Sequence, residues 1–93
     1  MECRVTQMRC KEVINVNDGM RLGFIYDMEF STETGRVTGI VIPGRSKAFG
    51  LLGREDDYII PWESIKRIGD DIIIVDVKGS YRRERANRRE RVD

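Results

Sequence analysis

Histidine is absent from these 93 residues. Its absence removes the usual general base near neutral pH and the commonest metal ligand. It also removes Ser-His-Asp and Cys-His nucleophilic arrangements. Cysteine occurs only as Cys3 and Cys10. Their spacing fits no common zinc motif, and no second pair completes a ligand set. They are expected to stay reduced, one as a small apolar residue of the core and one as a terminal thiol. No apolar run approaches the ~18 residues of a membrane span; the longest is Ile72-Ile73-Ile74-Val75. The first ten residues carry neither an apolar signal core nor a small-residue cleavage site, so the expected location is cytoplasmic. An excess of one charge is missing too. Lys and Arg number 17, Asp and Glu 16, for a net charge of +1. This excludes a uniformly basic nucleic-acid binder and a strongly acidic protein alike.

What is present divides near residue 78. Residues 1–77 carry 10 basic and 13 acidic side chains, whereas 78–93 carry 7 and 3. An acidic body therefore precedes a basic tail. In the tail only Tyr81, Ala86 and Val92 are apolar, too few to dock by burial. The expected organisation is one folded domain over 1–77 and an arginine-rich, disordered tail over 78–93, hinged at Gly79-Ser80. Apolar residues make up 40% of the whole, enough for a small core.

The body reads as short strands separated by turn residues. Val13 to Asn17 is β-rich and stops at Asp18-Gly19, a strong hairpin signal. Leu22 to Phe30 places Phe24, Tyr26, Met28 and Phe30 at period two, with Ile25 opposite them beside Asp27 and Glu29. That conflict predicts a bulge near Asp27 or burial on both faces. Ser31 to Gly35 is a five-residue hairpin loop, and Arg36 to Ile42 a third strand. After a longer connection come Tyr58-Ile59-Ile60, halted or confined to an edge by Pro61, then one helical turn or a short strand to Ile68. Ile72 to Val77 is the last strand. Its four consecutive apolar residues predict a cover over both faces, supplied by a loop, the N-terminus or another subunit. No window of ~11 residues in the body holds a capped 3.6-residue stripe. The fold class is all-β: a small barrel or half-barrel of about six short antiparallel strands, curled to hide its edges.

Several chemistries fail on these residues. The segment Gly44 to Gly50 has glycines and cations but is no phosphate-binding loop, and no helix follows it. The pairs Asp56-Asp57 and Asp70-Asp71 are read as solvated turn acids. No catalytic residue, cofactor or metal site is expected. Two surfaces remain. In the long connection, Phe49, Leu51 and Leu52 lie between glycines, rimmed by Arg45 and Arg54. They either plug one end of the barrel or dock a protein partner or a second copy; contact with a membrane surface is a third course. In the tail, Arg82, Arg83, Arg85, Arg88, Arg89 and Arg91 can each meet phosphate, with Tyr81 as a single stacking ring.

The segment Arg4 to Gly19, with Leu22-Gly23 and Asp27, resembles the opening of a PRC-barrel domain. Ile42-Pro43-Gly44-Arg45, the run Phe49-Gly50-Leu51-Leu52-Gly53-Arg54-Glu55-Asp56-Asp57-Tyr58-Ile59-Ile60-Pro61-Trp62 and Ile68 to Val75 resemble the YlmC/YmxH sporulation family, a single PRC-barrel. The likeness covers Arg4 to Asp76 and departs from the family where Cys10 stands in place of the usual Gly. It implies a compact β-barrel and a role tied to sporulation. It also implies a docking module, since PRC-barrels elsewhere serve protein contacts, and it brings no catalytic residue. The expectation is a non-enzymatic interaction module with a protein partner or homodimer contact; the alternative is a nucleic-acid accessory protein acting through its tail.

Overall fold

A computed structural model describes residues 2–44, 57–78 and 82–84, the last three in their backbone. The chain opens with one helical turn, α1 (Val5–Met8), which the strand-based reading did not contain. The turn forms because Gln7 reaches back and its Oε1 accepts the Arg4 N–H at 2.7 Å, capping a donor that the helix start leaves over. The helix buries Met8 and leaves the rest of its turn exposed.

Eight strands follow: β1 (Glu12–Asn15), β2 (Met20–Phe24), β3 (Asp27–Phe30), β4 (Val37–Ile42), β5 (Asp57–Pro61), β6 (Ile65–Ile68), β7 (Ile72–Val75) and β8 (Arg82–Glu84). They form two four-stranded sheets, ordered β2-β1-β7-β6 and β3-β4-β5-β8. The expected all-β class is met, and the small barrel or half-barrel of about six antiparallel strands is corrected in three respects. There are eight strands among the described residues. The β1–β7 pairing is parallel, running from Glu12↔Ile72 to Asn15↔Val75. The two sheets are hydrogen-bonded separately and do not close into one ring. Nearly the whole body lies between β1 and β7, which is why that pair can run parallel where a hairpin cannot.

The region from Leu22 to Phe30 is the hinge of this architecture. It is not one strand. It breaks at Ile25 and Tyr26, so that β2 belongs to one sheet and β3 to the other. Ile25 turns into the core, and the Tyr26 N–H donates to the Val41 carbonyl at 2.8 Å. The predicted irregularity at Asp27 is this change of sheet; bulges in the pairing fall instead at Val13/Ile14, at Glu29/Phe30 and between Ile65 and Arg67.

Turn chemistry explains the connections. Between β1 and β2 the loop spans Val16–Gly19, four residues rather than the two of a tight Asp-Gly hairpin. The Gly19 N–H donates to the Asn15 carbonyl at 2.7 Å, and Asp18 Oδ1 accepts the Met20 N–H at 2.9 Å. Gly19 has φ +74°, a conformation that glycine adopts without a Cβ penalty. After β5, Pro61 yields to a short 3-10 turn at Trp62–Ser64, and β6 starts at once. Both the helical turn and the short strand read from the sequence are therefore present.

Between the sheets lies one apolar core. Val13, Leu22, Ile73, Val75 and Val77 meet Ile40, Ile42, Tyr58 and Ile60, with Met8 and Ile25. In β7 the core takes Ile73 and Val75, while Ile74 is half-buried and Ile72 exposed. Burial on both faces belongs instead to β4 and β5, where Val41 and Ile59 are buried as well. Residues 82–84, read from the sequence as part of a tail without structure, pair antiparallel with β5 from Asp57↔Glu84 to Ile59↔Arg82. Strand pairing uses backbone groups alone, so it needs none of the apolar side chains that this segment lacks.

Candidate functional site

Four of the eight exposed large apolar side chains among the described residues lie where α1 meets the junction of β2 and β3. Val5, Phe24, Tyr26 and Phe30 are 54%, 51%, 47% and 62% exposed. Large apolar side chains held this far into water, and grouped, mark contact surfaces more often than chance exposure does. Their position follows from the break at Ile25. Because the chain bends there to bury Ile25, its two neighbours Phe24 and Tyr26 are turned outward. The bulge between Glu29 and Phe30 then carries Phe30 out, while Met28 packs against the core.

Two clefts flank Tyr26. One, of about 530 Å³, is lined by Thr6, Arg9, Cys10, Phe24, Ile25 and Pro43 as well as Tyr26. The other, of about 270 Å³, is lined by Val5, Arg9, Ile25, Tyr26, Asp27, Met28 and Phe30. Arg9, Ile25 and Tyr26 border both. Among the described residues lining the clefts, the charged ones are Arg9 on the helix side and Asp27 on the strand side. Asp27 Oδ1 accepts the Met28 N–H at 2.8 Å, which holds its carboxylate close to the backbone. The surface offers apolar contact, aromatic faces and a few charges.

Other residues singled out from the sequence are placed as follows. Arg45, Phe49, Leu51, Leu52 and Arg54 lie outside the described residues, as do Arg85, Arg88, Arg89 and Arg91. Arg82 and Arg83 stand in β8. Asp70 and Asp71 are exposed turn acids, as read. Asp57 is not: it is fully buried at the start of β5, where its Oδ1 accepts the Gly44 N–H at 3.1 Å. Both cysteines are exposed, so neither is a core residue. Cys10 follows directly on the helical turn, which spends its burial on Met8. Among the described residues no three His, Cys, Asp or Glu side chains converge as a metal site, and no helix is long and apolar enough to cross a membrane.

The aromatic group was visible in the sequence as a period-two stripe, yet it was read there as a strand face and not as a site. The signal that would have found it is Ile25. An isolated aliphatic residue between aromatics and acids identifies the side that faces the core, and so sends its neighbours out.

Residues 2–81 match the model of the PRC-barrel domain. The chain belongs to the PRC-barrel family. This PRC-barrel is 37% identical over 71 residues to the probable sporulation protein YlmC of Bacillus subtilis, covering 76% of this chain and 88% of that one. It is 39% identical over 71 residues to an uncharacterized protein of Clostridium acetobutylicum, covering 76% and 80% of the two chains. To the uncharacterized protein YmxH of Bacillus subtilis it is 36% identical over 76 residues, covering 80% and 88%. The likeness to a PRC-barrel of the YlmC and YmxH type, drawn from the motifs, is thus met.

Proposed function

We infer that this PRC-barrel is a docking module without catalysis of its own, acting in the cytoplasm in sporulation. The observation that carries this reading is the exposed group Val5, Phe24, Tyr26 and Phe30, set around two clefts on an otherwise ordinary small core. The name of the relative YlmC supports the setting in sporulation. Docking fits the chemistry on offer, since aromatic side chains supply much contact area at low conformational cost. Phe49, Leu51 and Leu52 are proposed as a further part of the contact. They follow Pro43, which lines the larger cleft, by only a few residues.

The test is affinity capture from sporulating cells with the full chain and with the double variant Phe24→Ser/Phe30→Ser. Both side chains are more than half exposed, so the variant keeps the fold. A protein held by the natural chain and lost by the variant supports docking at this surface. Equal retention by both removes the surface from the function. RNA recovered in place of protein would overturn the reading.

A further inference from the structure

The smaller cleft carries charges of opposite sign on its two walls. Arg9, at the end of α1, stands on the helix wall with Val5. Asp27, at the start of β3, stands on the strand wall with Tyr26, Met28 and Phe30. Both charged residues are exposed. They border the same opening yet form no ion pair with each other; the ion pair among the described residues joins Arg21 of β2 to Glu12 of β1. Asp27 lends Oδ1 to the Met28 N–H. That neutral donor leaves the carboxylate charge unmatched and further lone pairs open. Glu29 takes no part: it is half-buried, lines neither cleft, and its carboxylate stands beside Gly39 of β4.

One surface thus holds the exposed apolar group and both signs of charge, and such a patch is complementary to itself. In a two-fold contact the same surface serves both chains: residue i of one meets residue j of the other, and j meets i. A two-fold axis through the cleft exchanges its helix wall and its strand wall. Arg9 of each copy then faces Asp27 of the other, and the aromatic side chains near the axis meet their own copies. The rings supply contact area, while the two ion pairs fix orientation and choice of partner. Walls of like sign would have opposed the same arrangement.

We propose that the partner docked at this surface is a second copy of the chain, related by a two-fold axis near Tyr26, with Arg9 of each copy paired to Asp27 of the other. The proposal rests on the docking reading and names its partner. An unrelated protein would have to bring an acid and a base at the spacing of Arg9 and Asp27. The second copy brings both, together with Val5, Phe24, Tyr26 and Phe30 as exposed apolar residues of its own.

The test is sedimentation of the full chain from micromolar to millimolar concentration, in a reducing buffer that keeps Cys3 and Cys10 from linking copies. The natural chain is expected to pass from monomer to dimer, with amide shifts moving over residues 5–9 and 24–30. Arg9→Asp alone and Asp27→Arg alone each set like charges on the two walls, and each should weaken self-association at least about tenfold. Mixed in equal amounts, the two variants face each other with unlike charges and should form a mixed dimer of near-natural strength. Arg9→Asp/Asp27→Arg within one chain should restore the homodimer as well. A loss in the single variants that neither the mixture nor the double variant repairs overturns the pairing, as does a dimer that both single variants leave intact. A natural chain that stays monomeric throughout, or shifts that move elsewhere, overturns the second copy whether or not any variant folds. A different protein captured from cells through Phe24 and Phe30 by such a monomer leaves the docking reading standing, and capture of none removes both.

Discussion

The side-chain amide of Asn15 pairs with the backbone of Val77 in both directions. Nδ2 donates to the Val77 carbonyl at 3.0 Å, and Oδ1 accepts the Val77 N–H at 3.0 Å. Asn15 is buried at the end of β1, and the same Oδ1 accepts the Asn17 N–H at 3.2 Å. The amide thus stands in for one more residue of β1. It continues the parallel pairing with β7 beyond Val75, where the β1 backbone turns away into its loop.

Removing that amide should cost more than one hydrogen bond. Asn15→Ala leaves the N–H and the carbonyl of buried Val77 without their side-chain partner, and unmet buried groups cost about 1–3 kcal/mol each. Urea unfolding followed by Trp62 fluorescence should show a loss of about 2–4 kcal/mol. Asn15→Asp should also destabilise, because it loses the donor and sets a carboxylate against the Val77 carbonyl. A loss below about 0.5 kcal/mol for both would mean that water replaces the amide and the clamp is not structural.

Ile25 and Phe30 should behave in opposite ways. Ile25 is buried where the chain changes sheet, and Phe30 is exposed beyond the bulge. Ile25→Ala should cost about 2–4 kcal/mol, the range of a truncated core aliphatic. Phe30→Ser should fall within about 0.5 kcal/mol of the natural chain. Chemical denaturation of the two variants side by side checks this, and a costly Phe30→Ser would place that ring in the core and not on a contact surface.

Most strands were legible because their signals are local. Asp18-Gly19, Ser31 to Gly35, Pro61 and Gly69 interrupt the apolar runs at or near the places where the structure turns. What escaped were the choices made between distant segments. Nothing near Val13 announces a parallel partner sixty residues away, and nothing near Arg82 announces β5. The division of Leu22 to Phe30 between two sheets was legible as a conflict at Ile25, without its resolution. Asp57 was misread because an acid beside a turn is ordinarily solvated, and the buried Gly44 N–H that it meets lies across a 12-residue segment. The aromatic group was legible as a pattern but not as a surface, since period two gives the faces of a strand and not which one is covered.

Two glycines should fail for different reasons. Gly23 has φ +113°, with an added Cβ reaching only Ile42 Cγ2 at 3.6 Å. Gly23→Ala therefore meets backbone strain and no crowding, and should cost about 1–2 kcal/mol. At Gly39 an added Cβ would stand 3.0 Å from the Ile60 carbonyl oxygen, a backbone atom of the paired strand that cannot rotate away. Gly39→Ala should loosen the β4–β5 ladder, which hydrogen exchange would report as faster exchange of amides in 39–42 and 58–61. Unchanged exchange there would show that the strands part without loss.

Cys3 and Cys10 are both exposed, so the folded chain should take up two equivalents of a maleimide in one fast phase. Mass spectrometry counts the adducts. Binding of a partner in the larger cleft, which Cys10 lines, should slow Cys10 and leave Cys3 as it is. A single fast adduct on the free protein would restore the expectation of one core thiol.

Asp57 ties the beginning of β5 to Gly44, just beyond the end of β4, and both residues are buried. The bond fixes the two ends of the connection between these strands. Asp57→Asn keeps an oxygen that can accept the Gly44 N–H. Asp57→Ala removes the acceptor and strands a buried donor, at about 1–3 kcal/mol. Thermal unfolding should therefore rank the natural chain and Asp57→Asn close together, with Asp57→Ala clearly below. If Asp57→Asn falls as far as Asp57→Ala, the carboxylate charge matters at this position and not only its capacity to accept a hydrogen bond.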